Sequence, residues 1–362
     1  MLIHYSMSRK IVFSLCVLLC GALIALNGEA AEAARSGFAL WQNSVMPALL
    51  PFFVCTGLMR KLGLISLGNP AALMALSFIS GAPGGARLCA GLYGDSAQDN
   101  TVMAASLNAL SPMFITGAFA SSMLRCPQAA IPIVSAQLIA MLVFFIVALK
   151  ATPMPAHIEA REEKANAGVL FAASVTEAAA SLISICGMIV FFSVLMRMLE
   201  ITGLLSIIAW PLKQLILLLN GPGHAAEVMI CAAVEAATGR IADAALSLRE
   251  ATALAAFVFS FGGLCIMAQS MIFMRIDIKK YLICKLAQGM LAALIAYLLF
   301  PLCCNGAQSV TAEPEIMETL GQNSLSALAI LACSMAAMGA VMLICAAKAR
   351  LERLKNAGIE RD

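Results

Sequence analysis

The chain has 362 residues, 62% of them hydrophobic and 12% charged, with a mean hydropathy of +0.93. A soluble domain of this composition would expose very large apolar patches, so the chain belongs in a bilayer. The net charge of +3 is too small to argue for nucleic acid, and the 13 Cys, set mostly singly in apolar runs beside 3 His, outline neither a disulfide framework nor a zinc site.

From the N-terminus, Arg9 and Lys10 precede an apolar run over residues 11–26, and small residues follow from Gly28 to Ala33. That arrangement suits either a cleaved leader or a first membrane helix; the many later spans favour a retained helix. Uncharged stretches long enough for the ~30 Å hydrocarbon core cover residues 100–124, 126–149, 178–196, 251–274, 286–312 and 319–347. Weaker or interrupted ones cover 11–27, 37–59, 62–86, 201–220 and 224–242. The expected fold is all-α: a polytopic integral membrane protein with about nine to eleven membrane segments, some re-entrant or broken.

Positive charge orients the chain. Arg9 and Lys10, the loop bearing Arg275, Lys279, Lys280 and Lys285, and the basic tail from Lys348 to Arg361 are expected in the cytoplasm. The segment with Glu313, Glu315 and Glu318 is expected outside.

The first anomaly is Ser80-Gly81-Ala82-Pro83-Gly84-Gly85-Ala86-Arg87. Pro removes a backbone donor, Gly weakens a helix, and Arg is costly at bilayer depth. A break here starts a new half-helix, with Ser80 as its cap and Pro83 in the first turn. The half-helix N-terminus, close approach at Gly84 and Gly85, and the fork of Arg87 would suit a carboxylate or phosphate. The plainer alternative is a tight loop with Arg87 reaching to headgroups. Asn108, Ser111, Pro112 and Thr116 then interrupt an uncharged span, with Pro112 freeing a carbonyl near residue 108. An amide such as Asn108 needs partners in hydrocarbon, whereas Ser and Thr can bond back to their own helix.

A polar stretch over 152–167 divides two halves that look alike. Pro51-Phe52-Phe53 through Arg60 is echoed by Val190-Phe191-Phe192 through Arg197. The Gly84–Arg87 run is echoed by Thr238-Gly239-Arg240, and Leu110-Ser111-Pro112 by Ser260-Phe261-Gly262-Gly263 with Gln269 beyond. Interrupted segments in matching positions of two halves point to a transporter's binding site. Between them His224, Glu227, Cys231, Glu235 and Thr238 share one helical face, which suits a pathway lined by Glu235 with Arg240 beyond it, or an interfacial helix with its charged face in water. No Gly-x-Ser-x-Gly or His-Glu-x-x-His is present, and Tyr93-Gly94-Asp95 lacks the Gly that precedes it in intramembrane aspartyl proteases, so no enzyme is expected.

Leu50-Pro51-Phe52-Phe53, Ser80–Arg87, Asn108-Ala109-Leu110-Ser111-Pro112-Met113-Phe114 and Phe259–Leu264 with Gln269 resemble the YlbJ-like sporulation integral membrane proteins. These carry the nucleoside-recognition or Gate domain shared with concentrative nucleoside transporters and ferrous-iron transport proteins. Members often have Tyr-Pro where this chain has Ala82-Pro83, and Lys where it has Arg87. The resemblance, over residues 37–300, implies a first Gate-like repeat at 37–150 and a second at 174–304. An N-terminal helix and outer loop (1–36), a polar linker (151–173) and an outer loop, last span and basic cytoplasmic tail (305–362) complete the chain. It further implies transport of a small organic anion, dipicolinate-like, across the cell or outer forespore membrane, without a cofactor or metal. Ser80, Gly81, Pro83, Gly84, Gly85, Arg87, Asn108, Ser111, Pro112 and Thr116 would form one half of the substrate site. Glu235, Thr238, Arg240, Ser260, Gly262, Gly263 and Gln269 would form the other. The alternatives are a nucleoside or other small-solute transporter, and a non-transporting scaffold. Expected partners are the lipid bilayer, a second copy of the chain, or other sporulation membrane proteins.

Overall fold

A computed structural model describes residues 2–62, 69–93, 100–152, 165–218, 225–235, 241 and 246–304. Among them are thirteen α-helices and no strand. They are α1 (Leu2–Ala25), α2 (Asn27–Leu40), α3 (Met46–Lys61), α4 (Pro70–Ser80), α5 (Gly84–Tyr93), α6 (Thr101–Leu107), α7 (Ala130–Ala151), α8 (Ala167–Ile201), α9 (Leu204–Leu218), α10 (Ala225–Val234), α11 (Leu248–Phe261), α12 (Gly263–Ser270) and α13 (Ile278–Cys303). Wider π-helical turns cover Trp41–Val45 and Phe114–Met123.

The helices Pro127–Ala151, Ala167–Ile201, Leu248–Ser270 and Ile278–Cys303 are long and apolar enough to cross a membrane, and Cys16–Ala25 with Asn27–Val45 forms a further candidate bent by 102°. Helix α8 has 35 residues, about 52 Å at 1.5 Å per residue, well beyond the ~30 Å thickness of the hydrocarbon. It is longer than the uncharged stretch 178–196, and Glu177 lies within it, pairing with the buried Lys61 of α3 at 2.8 Å. Helices α4 and α5, of 11 and 10 residues, reach only about 15 Å each and form a half-depth hairpin rather than a span. The last expected span, the acidic loop before it and the basic tail lie outside the described residues, as does most of the polar linker.

Local chemistry explains where the helices begin and end. Asn69 caps α4 by accepting from Ala71 N–H at 3.0 Å, with Pro70 in the first position, where its missing donor costs nothing. Ser247 and Glu250 form a reciprocal capping box on α11, which Gly262 ends at φ +84°. Asp277 caps α13 through the N–H groups of Lys279 and Lys280, at 3.0 and 3.2 Å.

The largest core joins α4, α5 and α6 with α7, α11 and α13; a second packs α3 against α8. Helix α13 is turned inside out relative to a soluble helix. Ile283, Leu286, Met290, Leu294 and Leu298 are exposed along one stripe, as lipid requires, while Tyr281, Lys285, Gln288, Ala292 and Ala296 are buried. Gly289 lets α13 approach α11: a Cβ there would lie 3.0 Å from the Phe257 carbonyl oxygen and 3.1 Å from its ring.

Gly289→Leu should force α13 off α11 and lower the thermal midpoint of the detergent-solubilised protein by several degrees, in line with the ~1–3 kcal/mol or more of overpacking. Leu294→Ala, on the exposed stripe, should leave the midpoint within about a degree, because lipid or detergent covers that face in both states.

Candidate functional site

Three breaks in the helices meet inside the protein. The first separates α4 from α5. Ser80 ends α4, Gly81 takes φ +68°, and the Ala82–Pro83 peptide is cis. A Cβ on Gly81 would collide with the backbone of Ser111, and one on Gly85 with the Leu107 carbonyl. Glycine is required at both places because the end of α6 and the second break, 108–111, pass directly over them. The cap differs from the expected one. Ser80 Oγ donates back to the Ser77 and Gly81 carbonyls at 3.2 and 3.3 Å, and α5 is opened by the Pro83 carbonyl, which accepts from Arg87 N–H at 3.1 Å.

Between Asn108 N–H, which still donates to Ala105 O, and Ser111 O, which already accepts from Ile115 N–H, the second break has no helical bonds, so its polar groups find partners elsewhere. Asn108 O accepts from Lys285 Nζ, Ala109 O from Ala82 N–H at 2.6 Å, and Leu110 O from Gln137 Nε2 at 2.6 Å. Leu110 N–H donates to Phe259 O at 3.1 Å, near the end of α11. Asn108 Nδ2 donates to Ser270 Oγ and, at 2.8 Å, to Tyr281 Oη. Ser111 caps the helical segment that follows, accepting from Phe114 N–H at 3.2 Å, and Pro112 stands in its first turn. Thr116 bonds back to the Pro112 carbonyl at 3.0 Å, so its hydroxyl is satisfied by its own helix.

The third break lies between α11 and α12, where Gly262 and Gly263 both take positive φ, +84° and +74°. A Cβ on Gly263 would stand 3.1–3.2 Å from the carbonyl oxygens of Ala232, Ala233 and Val234, so the C-terminal end of α10 abuts this break. Ser260 is buried beside it, its hydroxyl without a hydrogen-bond partner among the described residues.

Where the breaks meet is a cavity of about 60 Å³, lined by Ser80, Ala82, Leu110 and Ser111 from the first half and by Glu235 and Gln269 from the second. The volume holds a few waters, at roughly 10–15 Å³ each, and is far below the ~300 Å³ or more of ordinary ligand pockets. Glu235 is 2% exposed and lies beside the Cys265 thiol, which also receives Gln269 Nε2 at 3.2 Å. Helix α10 stops at Val234, so the stripe of Glu227, Cys231 and Glu235 divides: Glu227 accepts from Ser206 Oγ of α9 at 2.8 Å, while Glu235 turns to the cavity.

Arg87 is half-buried one turn into α5, its guanidinium 4.4 Å from the centre of the Phe53 ring, and is not among the lining residues. His224, Thr238 and Arg240 lie outside the described residues.

The residue that sequence reasoning placed elsewhere is Lys285. Grouped with the cytoplasmic loop, it is fully buried instead, two turns inside α13, its amine bonded to Asn108 O and, at 3.0 Å, to Gln288 Oε1. Gln288 Nε2 in turn donates to Ser106 O at 3.0 Å. Gln137 was also passed over; a lone amide in an otherwise apolar span was the available signal.

This geometry defines the class: an all-helical integral membrane protein with a half-depth hairpin seated on broken helices. Its sequence is 25% identical over 318 residues to the sporulation integral membrane protein YlbJ of Bacillus subtilis (strain 168), covering 74% of this chain and 77% of that protein. This similarity over most of the chain agrees with the resemblance carried by the glycine and proline motifs. No family model and no solved structure matches it.

Gln137→Leu should leave the buried Leu110 carbonyl without its donor, costing about 1–3 kcal/mol and speeding amide exchange over residues 106–111. Thr116→Ala, which removes only a bond within its own helix, should leave both the melting midpoint and the exchange of that segment unchanged.

Proposed function

We propose that this protein is a transporter of small organic anions, dipicolinate-like in size and charge, that works by alternating access in a membrane of a sporulating cell. The observation that carries this reading is a cavity lined by the first two breaks and, from the second half of the chain, by Glu235 and Gln269. Broken helices at bilayer depth are tolerated where they are buried in protein or line a cavity, and breaks in matching places of two halves mark solute sites in transporters. In this reading the cavity is the collapsed seat of the solute and widens as its walls draw apart. Arg87, one turn into α5, supplies charge for a carboxylate. Sporulation comes from the name of the Bacillus subtilis relative. The N-terminus and tail face the cytoplasm on the argument from positive charge, the membrane is the cell or outer forespore membrane, and no chemistry is performed on the solute.

Glu235 sets a condition on this reading. A carboxylate beside a dianion repels it, so the solute enters with Glu235 protonated or paired. A neutral solute rich in hydroxyl and N–H groups, such as a nucleoside, is the second reading, favoured by Ser80, Ser111 and Gln269, which together with Glu235 offer hydrogen-bond acceptors.

The test is uptake of labelled dipicolinate and uridine by proteoliposomes. Saturable dipicolinate uptake is expected. Glu235→Gln, which removes a charge that repels a dianion, should retain or raise it. Arg87→Ala should lower uptake by roughly tenfold, the size of one charge-assisted bond. Uptake of uridine alone would establish the second reading, and uptake of neither would leave the breaks as packing devices of a scaffold.

A further inference from the structure

We propose that Lys285 is a tethered cation, filling from within the chain a seat of neutral oxygens at the Asn108 break that a dissociable monovalent ion would otherwise need to occupy. The seat is made by the main-chain oxygen of Asn108 and the side-chain oxygen of Gln288, with Lys285 Nζ between them. The Gln288 amide is fixed in the sense that presents oxygen to the amine, because its nitrogen is committed to Ser106 O. Carbonyl oxygens of an unwound membrane helix, supplemented by an amide, are the donor set that binds Na⁺ in broken-helix membrane proteins. Here the ammonium stands in that position.

Three features separate this arrangement from an ordinary buried ion pair. Both partners of the amine are uncharged, and among the described residues no carboxylate lies within ion-pair distance of it. The groups facing Lys285 from neighbouring turns and from α6 are Tyr281, Cys284, Gln288, Ser106 and Asn108, none of them acidic. The side chain is 0% exposed, so an unpaired charge here is costly unless the break needs it. The need is specific, since the Asn108 carbonyl has lost its helical donor, and a donor on α13 is the only described group bonded to it.

The same stretch of α13 grips α6 at two further points, Tyr281 on the Asn108 side chain and Asp277 N–H on Thr101 Oγ1 at 3.1 Å. Lys285 therefore locks the broken helix to the spanning bundle permanently, where a free ion would do so only when bound. The claim does not depend on which solute the cavity takes, or on transport at all.

The test uses the full chain in nanodiscs, with melting followed in NaCl, methylammonium chloride and N-methylglucamine chloride at one ionic strength. The wild type should melt at the same temperature in all three. Lys285→Ala should melt several degrees lower in N-methylglucamine and regain at least half of the loss in Na⁺ or methylammonium, which fit the vacated seat. Lys285→Met, which refills the space with an apolar chain, should be destabilised with no cation-dependent recovery. Loss without recovery by any small cation in Lys285→Ala would overturn the proposal. Should that variant not fold, hydrogen exchange of residues 106–111 in the wild type decides: equal protection in Na⁺ and N-methylglucamine is expected, and protection that requires Na⁺ would overturn it.

Discussion

The structure depends on one constraint: no backbone polar group at membrane depth can be left to water. A helix meets it internally, and every departure from a helix must be met by some other element. Residues 108–111 leave the helix between the Asn108 and Ser111 carbonyls, and four different elements answer. The α4–α5 hairpin supplies Ala82 N–H, α7 supplies Gln137, α11 supplies the Phe259 carbonyl, and α13 supplies Lys285. Each partner explains a sequence feature that is otherwise expensive in lipid: a Pro-Gly-Gly turn, a lone amide, an interrupted span and a buried amine. Glycine is forced at 81 and 85 for the same reason, since these exchanges happen only when backbones nearly touch.

The third break is coupled to the second rather than independent of it. The Leu110–Phe259 bond ties one half of the chain to the other, and the T-shaped contacts of Phe259 with Phe114 and Phe119, at 5.8 and 4.7 Å between ring centres, surround it with apolar packing. Desolvation of that kind strengthens a hydrogen bond and also makes its loss more costly. The breaks are thus held as a unit, and disturbing any one of them exposes polar groups of the others.

What was legible in the sequence follows from how local each signal is. The breaks at 81–83, 108–112 and 262–263 are written in adjacent Gly, Pro, Ser and Asn, and the structure interrupts its helices at all three. The membrane class and the all-α fold are legible in bulk composition. Partnerships are not, because Lys285 and Asn108 are 177 residues apart in sequence and Gln137 and Leu110 are 27 apart. Charge counting places Lys285 wrongly for a physical reason: it follows Lys279 and Lys280 closely, and a cluster of cations counts as one loop. The helix cap at Asp277 begins α13 eight residues before Lys285, which carries that residue inward. Ser80 was assigned the cap that Pro83 provides, because a hydroxyl before a glycine run is the usual signal and the positive φ of Gly81 turns the chain away from it. Helix α10 stops at Val234, so the face shared by Glu227 and Glu235 in sequence is divided between α9 and the cavity.

The cavity's contents and its boundaries impose different demands on any motion. Its first-half wall, Ser80, Ala82, Leu110 and Ser111, is braced by the cross-break bonds and by glycine contacts with no slack. Its second-half wall carries the carboxylate of Glu235 with Gln269, and α11 and α12 are tied to the second break by the bonds of Leu110 to Phe259 and of Asn108 to Ser270. Under the proposed transport, opening this 60 Å³ space would cost least by moving one wall as a body, because deforming the first would strand several backbone groups, each worth about 1–3 kcal/mol when buried without a partner. The solute then has to replace what the separated walls lose. An occupant that donates to the Phe259 carbonyl or accepts from the Leu110 N–H restores the satisfied state, and one that does neither leaves the walls to close again without it.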